Sequence, residues 1–298
     1  MKKIALSLLL LISFQKISAQ EDYYWWAIKH NWDGVTPWNQ YMTMSTSFMG
    51  PNSLPVPEVA NGRIDSLMEL EVAGEYHFSN GDKTKDFYTR GFLPLYDNRV
   101  AILIDVIPYE WFKTDTITRD LRAARTKSGK GGAGGDIYFS TFFQVIKDKH
   151  NFPDILFQAT FRLASGTNLH NARYTDGPGY FFDISAGKNI FLNKKILRLY
   201  GMAGFYAYQT FDLQHLQNDC FLYGAGADLS NSKFTLSQSI GGYNGYLNIG
   251  DKPIVYRASI RLKQKYFDWK VSYQWGIHDY DFQRFRAGVV VHYHIKSK

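Results

Sequence analysis

From residue 67 onward the chain alternates apolar and polar residues with a period of two. In 284–296, Phe285, Ala287, Val289, Val291, Tyr293 and Ile295 fall on one face. Arg284, Arg286, Gly288, Val290, His292 and His294 fall on the other. In 253–263, Ile254, Tyr256, Ala258, Ile260 and Leu262 oppose Val255, Arg257, Ser259, Arg261 and Lys263. The segments 154–163 and 268–278 repeat the scheme. Successive strand side chains point to opposite faces, so this pattern predicts strands with one apolar and one polar surface. Twelve are predicted, over 67–79, 84–96, 99–112, 135–147, 154–164, 178–190, 195–209, 219–229, 234–244, 253–265, 268–278 and 284–296. Helical periodicity is confined to one short candidate, 113–127.

The predicted strands are long for a soluble sheet, where ~5–6 residues is usual, and match the ~9–11 residues of a tilted membrane strand. Their connections form two sets. Residues 113–134, 165–177, 210–218 and 245–252 are long; 97–98, 148–153, 191–194, 230–233 and 266–267 are short. Outer-membrane barrels have short periplasmic turns and longer outer loops. With the C-terminus in the periplasm, every long connection falls outside and each of these short ones inside. The remaining outer turns, 80–83 and 279–283, are short as well. The expectation is an all-β, transmembrane, antiparallel up-and-down barrel of about twelve strands in the outer membrane, spanning 67–298.

Three strands break the alternation. Residues 195–209, 135–147 and 99–107 are apolar on both faces, as strands facing a filled lumen or a hydrophobic plug would be. Residues 20–66 are the candidate plug. They hold Tyr23, Tyr24, Trp25, Trp26, Trp32, Trp38 and Tyr41, then Gly50-Pro51-Asn52-Ser53-Leu54-Pro55-Val56-Pro57. Proline blocks ladder donation, so 50–57 reads as an extended crossing or turn. Parity places the start of this segment on the periplasmic side, inserted in the lumen or capping its mouth.

Residues 1–19 read as a secretory signal: Lys2 and Lys3, the apolar run Ile4–Ile12, then Ala19-Gln20 at the cut. The apolar run is too short to span a bilayer as a helix. Loss of Lys2, Lys3 and Lys16 lowers the formal charge from +7 to +4, which argues against nucleic acid as a partner. A single cysteine, Cys220, excludes an internal disulfide and any Cys-based zinc site. The chain at this point resembles the outer-membrane β-barrel proteins of Gram-negative bacteria, and its Ala19-Gln20 junction is similar to those of Bacteroidota. The resemblance implies outer-membrane lipid, lipopolysaccharide and the barrel-assembly machinery as partners. That machinery commonly reads a terminal aromatic. Here the chain ends Tyr293-His294-Ile295-Lys296-Ser297-Lys298, so recognition would use Tyr293 or Ile295.

The candidate chemistry is charge inside the barrel. Glu69, Glu71, Glu75 and His77 share one face of the first strand, and carboxylates are costly toward lipid. Barrel closure pairs this strand with the last, bringing Arg284 and Arg286 toward Glu75 and His77, and His292 and His294 toward Glu69 and Glu71. Arg257, Arg261 and Lys270 are neighbouring inward bases. These residues form either a structural ion network or a selectivity lining, since rings of charged side chains set pore selectivity. Gly129-Lys130-Gly131-Gly132-Ala133-Gly134 matches G-x-G-x-x-G but precedes a strand, so it reads as an outer loop. The basic run Lys113–Lys130 could meet anionic headgroups. No histidine spacing marks a metal site, no cofactor is implied, and no catalytic set is complete. His170 beside Ser165 offers only the residue types of an outer-leaflet lipid-modifying enzyme. The functional expectation is passage or binding of small polar or amphipathic solutes through a narrow charged lumen. The alternatives are that lipid-modifying enzyme and a closed structural or surface-interaction barrel.

Overall fold

The computed structural model describes residues 23–294. The proposed signal, 1–19, and Ile295 onward lie outside the described residues, as does the side chain of His294. Two units are present. Residues 23–35 surround α1 (Tyr24–Lys29), where the Trp26 ring lies 5.0 Å from His30 and 6.4 Å from Trp32. Residues 36–294 form the second unit, a closed barrel.

The strands are β1 (Leu67–Ser79), β2 (Asp82–Leu95), β3 (Val100–Thr114), β4 (Lys130–Ala133), β5 (Ile137–Ile146), β6 (Asp154–Arg162), β7 (Gly179–Leu192), β8 (Lys195–Gln209), β9 (Gln217–Ser230), β10 (Phe234–Gly245), β11 (Ile254–Lys263), β12 (Phe267–His278) and β13 (Gln283–His294). β4 pairs only with the end of β3; the other twelve strands pair antiparallel in sequence order, and β1 pairs with β13 to close a twelve-stranded barrel. The expected fold class is the observed one. Its outer face is apolar: Leu70, Val72, Val271 and Phe285 are about half exposed there, with Trp111, Trp269, Trp275 and Tyr293 among the outward aromatics. Aromatic and aliphatic side chains on the outside of a closed sheet form the lipid-facing belt of an outer-membrane barrel. Among the described residues no helix is long and apolar enough to cross a membrane.

Two local expectations change. The glycine-rich stretch is not simple loop: Lys130–Ala133 is β4, paired with Glu110–Lys113 at the end of β3. The helical candidate shrinks to α2 (Thr116–Leu121), started by Asp115, whose carboxylate accepts the Thr118 amide at 2.8 Å.

Within the barrel unit the N-terminal segment is found at the loop end by residue 45, whereas parity predicts a periplasmic start for it. Residues 45–64 thread the lumen as a strap from the loop end to the turn end. Ser45 Oγ donates to the Ile249 carbonyl, and the Gly50 amide donates to Ala172, both in long connections. The strap then meets Tyr243 at Leu54, Arg257 at Val56 and Arg198 at Asn61. It leaves beside Asp148 in the short turn after β5, which pairs with Arg63 at 2.9 Å. Only its last residues lie at the turn end, where β1 begins. Sequence parity could place residue 66 but not the direction from which it came.

The strands without clean alternation are explained by this strap. Leu54 and Val56 pack with Met202, Tyr206 and Tyr208 of β8 and with Cys220, Leu222, Tyr243 and Val255. Ile64 packs with Ala101, Leu103, Phe142 and Leu156, from β3, β5 and β6. Each such burial contributes about 1.5–3 kcal/mol relative to exposure. Asn61 and Gly62 press against Gly187 of β7. Gly62 has φ +82°, and a Cβ there would come 2.6 Å from the Gly187 nitrogen, so glycine is required on steric and backbone grounds alike.

The lumen and its strap as the candidate functional site

Inward positions of β1, β11, β12 and β13 carry the charges. The register sets Glu75 opposite Arg286, His77 opposite Arg284 and Glu69 opposite His292. Glu75 accepts a hydrogen bond from Arg286 and lies 3.3 Å from Arg284. Lys270 donates to Glu71 at 2.8 Å, and Arg261 bridges Glu69 and Asp268 at 2.6 Å each. His292 approaches Asp268 at 3.7 Å rather than a β1 carboxylate. His294 is placed only by its backbone, opposite Leu67. Arg257 is occupied with the strap: it donates to the Val56 carbonyl at 2.5 Å, to Pro57 at 3.1 Å and to Gln274 at 2.7 Å. The Arg286 guanidinium stacks 3.6 Å over the Tyr88 ring.

His77 sits 3.4 Å from Glu75 and 3.1 Å from Asp86, all three buried. Their ligand atoms lie within 4.8 Å of one another, close enough to hold a metal ion. The surroundings favour an ion network instead. Glu75 already faces two guanidiniums, and Asp86 accepts from Asn52 at 2.9 Å.

The loop end holds a second cluster that the sequence did not signal. Arg173, from the connection after β6, is fully buried. It donates to Glu110 at 2.6 Å, to Asp82 at 2.8 Å and to Thr84 at 2.7 Å, and lies 4.6 Å from the Phe112 ring. Arg122 reaches Asp82 at 2.5 Å, and Asn52 of the strap donates to Glu110 at 2.9 Å. Two outer connections and the strap are thus knotted together over the lumen. Inward parity on β2 and β3 marks Asp82, Asp86 and Glu110 as polar lumen positions. Nothing in the aperiodic connections marks Arg173 or Arg122 as their partners. On the same end, His170 lies on a short 3-10 turn, Leu169–Asn171, and Ser165 Oγ accepts the Ile137 amide at 2.9 Å.

Between strap and wall lies a cavity of about 990 Å³. It runs from Arg63, Lys263 and His292 near the turn end to Asp136, Tyr174 and Tyr280 near the loop end. Nine basic and nine acidic side chains line it, so histidine apart its charge cancels. Thr235, Ser237, Ser239, Ser259 and Ser272 make one wall a sheet of hydroxyls. Glu58 of the strap projects into it. Its half-exposed side chain sees only this walled space, and it pairs with Arg90 at 2.8 Å.

A closed twelve-stranded barrel with an apolar outer belt and a polar, strap-filled lumen defines an outer-membrane β-barrel protein. No family model matches the chain, and no curated protein matches it. Among solved structures it is similar to the COG4313 outer membrane channel from Pseudomonas putida F1, with 12% identity over 81% of this chain and 97% of that one, TM-score 0.52. It is also similar to the KdgM porin, with 10% identity over 75% of this chain and 99% of that one, TM-score 0.48. At these identities the likeness is one of fold.

Proposed function

We propose that this barrel binds and passes small polar or amphipathic solutes, with residues 45–64 and the loop-end cluster as its gate. The observation that carries this reading is the cavity of about 990 Å³ beside the strap, large enough for a small ligand and lined by hydroxyls and by charges of balanced sign. Because those charges cancel, the lumen discriminates weakly between cations and anions, and size and hydrogen bonding do the selecting. The Pseudomonas protein described as an outer membrane channel shares the fold and supports this reading.

Single-channel recording of the full mature chain in planar bilayers tests it. The wild type is expected to give brief discrete steps of weak ion selectivity. Leu54→Asp, which puts a carboxylate into the apolar seat of the strap, is expected to lengthen them. Glu71→Gln frees Lys270 and shifts selectivity toward anions; Lys270→Gln shifts it toward cations. An inserted barrel that stays silent both as wild type and as Leu54→Asp sinks the passage reading and leaves a closed structural barrel.

A further inference from the structure

The loop-side end of the cavity is lined by Asp136, Tyr138 and Tyr206, with Arg162 in the wall against Asp136, and the strap, the ion network and the lid leave polar atoms of this group unsatisfied. Asp136 lies just before β5, Tyr138 on β5, Arg162 at the end of β6 and Tyr206 on β8. Asp136 and Arg162 are each 2% exposed and Tyr206 is 1% exposed. Arg162 spends one terminal nitrogen on the Ser53 carbonyl at 2.7 Å and the other on Gly177 at 3.1 Å. Its Nε has no hydrogen-bond partner. Asp136 Oδ1 accepts the Gly166 amide at 2.7 Å, while its Oδ2 has no partner. These two orphaned atoms face each other at 3.9 Å, too far for a direct hydrogen bond. The Tyr206 hydroxyl, beside Arg162, is also buried without a partner, and the Tyr138 hydroxyl faces Arg162 without an aligned hydrogen bond.

Buried polar groups are satisfied in almost every native protein, so these converging atoms mark a place for water or for a ligand that replaces it. A single oxygen can sit about 2.8 Å from both Nε and Oδ2, accepting from one and donating to the other. Only a group that is both donor and acceptor does this. An anion would meet the Asp136 carboxylate, and a cation would meet the Arg162 guanidinium. Hydroxyl is the chemistry that fits, and the tyrosine hydroxyls repeat the same donor-and-acceptor demand. The Tyr138, Phe181 and Tyr206 rings add apolar faces. The electroneutral lining and the serine and threonine wall extend the preference along the cavity.

We infer that Asp136, Tyr138, Arg162 and Tyr206 form a binding subsite for a neutral, hydroxyl-rich solute of the polyol or saccharide class. This inference rests on the solute reading above and names its substrate class. Saturation-transfer NMR on the detergent-solubilised full chain tests it, with sorbitol, sucrose and maltotriose as neutral probes and gluconate and agmatine as charged ones. At least one neutral probe is expected to bind saturably and in preference to both charged ones. Tyr206→Phe and Asp136→Asn keep shape and packing, and each is expected to weaken that binding about tenfold with the unfolding midpoint unchanged. Three results overturn the inference: no saturable neutral binder, which leaves these atoms to water; equal binding of gluconate or agmatine; or binding indifferent to both variants. Sugar binding without conductance would remove only the passage reading, and conductance without sugar binding would remove only this subsite.

Discussion

The two ends of the lumen are built differently. At the loop end, Arg173, Asp82 and Glu110 are buried to essentially zero exposure and bonded into one cluster with Asn52 of the strap. At the turn end the Arg198–Asp154 pair is also buried, but other pairs are wet. Arg63 and Asp148 keep 32% and 61% of their side chains exposed, and Arg261 and Glu69 keep 22% and 20%. A buried ion cluster is expensive to desolvate and collapses when one member is lost, whereas a solvated pair contributes little and costs little to break. The loop end is therefore a lid, and the turn end is a vestibule open to water. Under the proposed function, a solute enters the cavity from the vestibule and leaves when the lid and strap move.

The contrast is broken most completely if the strap does not run as described. In a Cys220→Ser background, Pro37→Cys is expected to label with a membrane-impermeant maleimide on intact cells, as Ser128→Cys in the loop after α2 does. Lys194→Cys, in a short turn, should label only after the outer membrane is permeabilised. Labelling of Pro37→Cys only after permeabilisation would put the start of the strap in the periplasm and reverse the assignment of lid and vestibule.

The next effect is energetic. Arg173→Ala strands Asp82 and Glu110 at the lid and should cost about 3–5 kcal/mol, read as a lowered unfolding midpoint of the detergent-folded barrel. Arg173→Lys cannot reproduce contacts to three acceptors and should recover only part of the loss. The smallest effect belongs to the vestibule. Arg63→Ala removes an exposed pair and should shift stability by no more than about 1 kcal/mol. A loss at Arg63 equal to that at Arg173 would erase the distinction between the ends.

The outer face of the barrel was legible because each strand carries its own period-two record of lipid and lumen. Strand 253–265 shows Ile260 and Leu262 against Arg261 and Lys263, and these faces are the ones observed. The apolar inward residues of 195–209 announced a filled lumen without naming what fills it. The candidate site was legible as a set of faces and not as a set of bonds. Arg257, read from parity as a lumen charge, holds strap carbonyls. His292, paired in register with Glu69, turns to Asp268. Asp136, Arg162 and Tyr206 carry no pattern that links them, since they come from separate parts of the chain and meet only through the curvature of the wall.

The sequence by itself determined the twelve strands of the barrel, the apolar outer face of the alternating strands and the closure of first strand on last. All of these follow from local periodicity and from counting. Tertiary structure decided the direction of the strap, the partners of every buried charge and the burial of Arg173. The strap is gripped mostly through backbone carbonyls and amides, which every residue possesses and which leave no signature in sequence. A buried charge takes whichever opposite charge the folded wall brings within reach, and that proximity exists only once the barrel has closed.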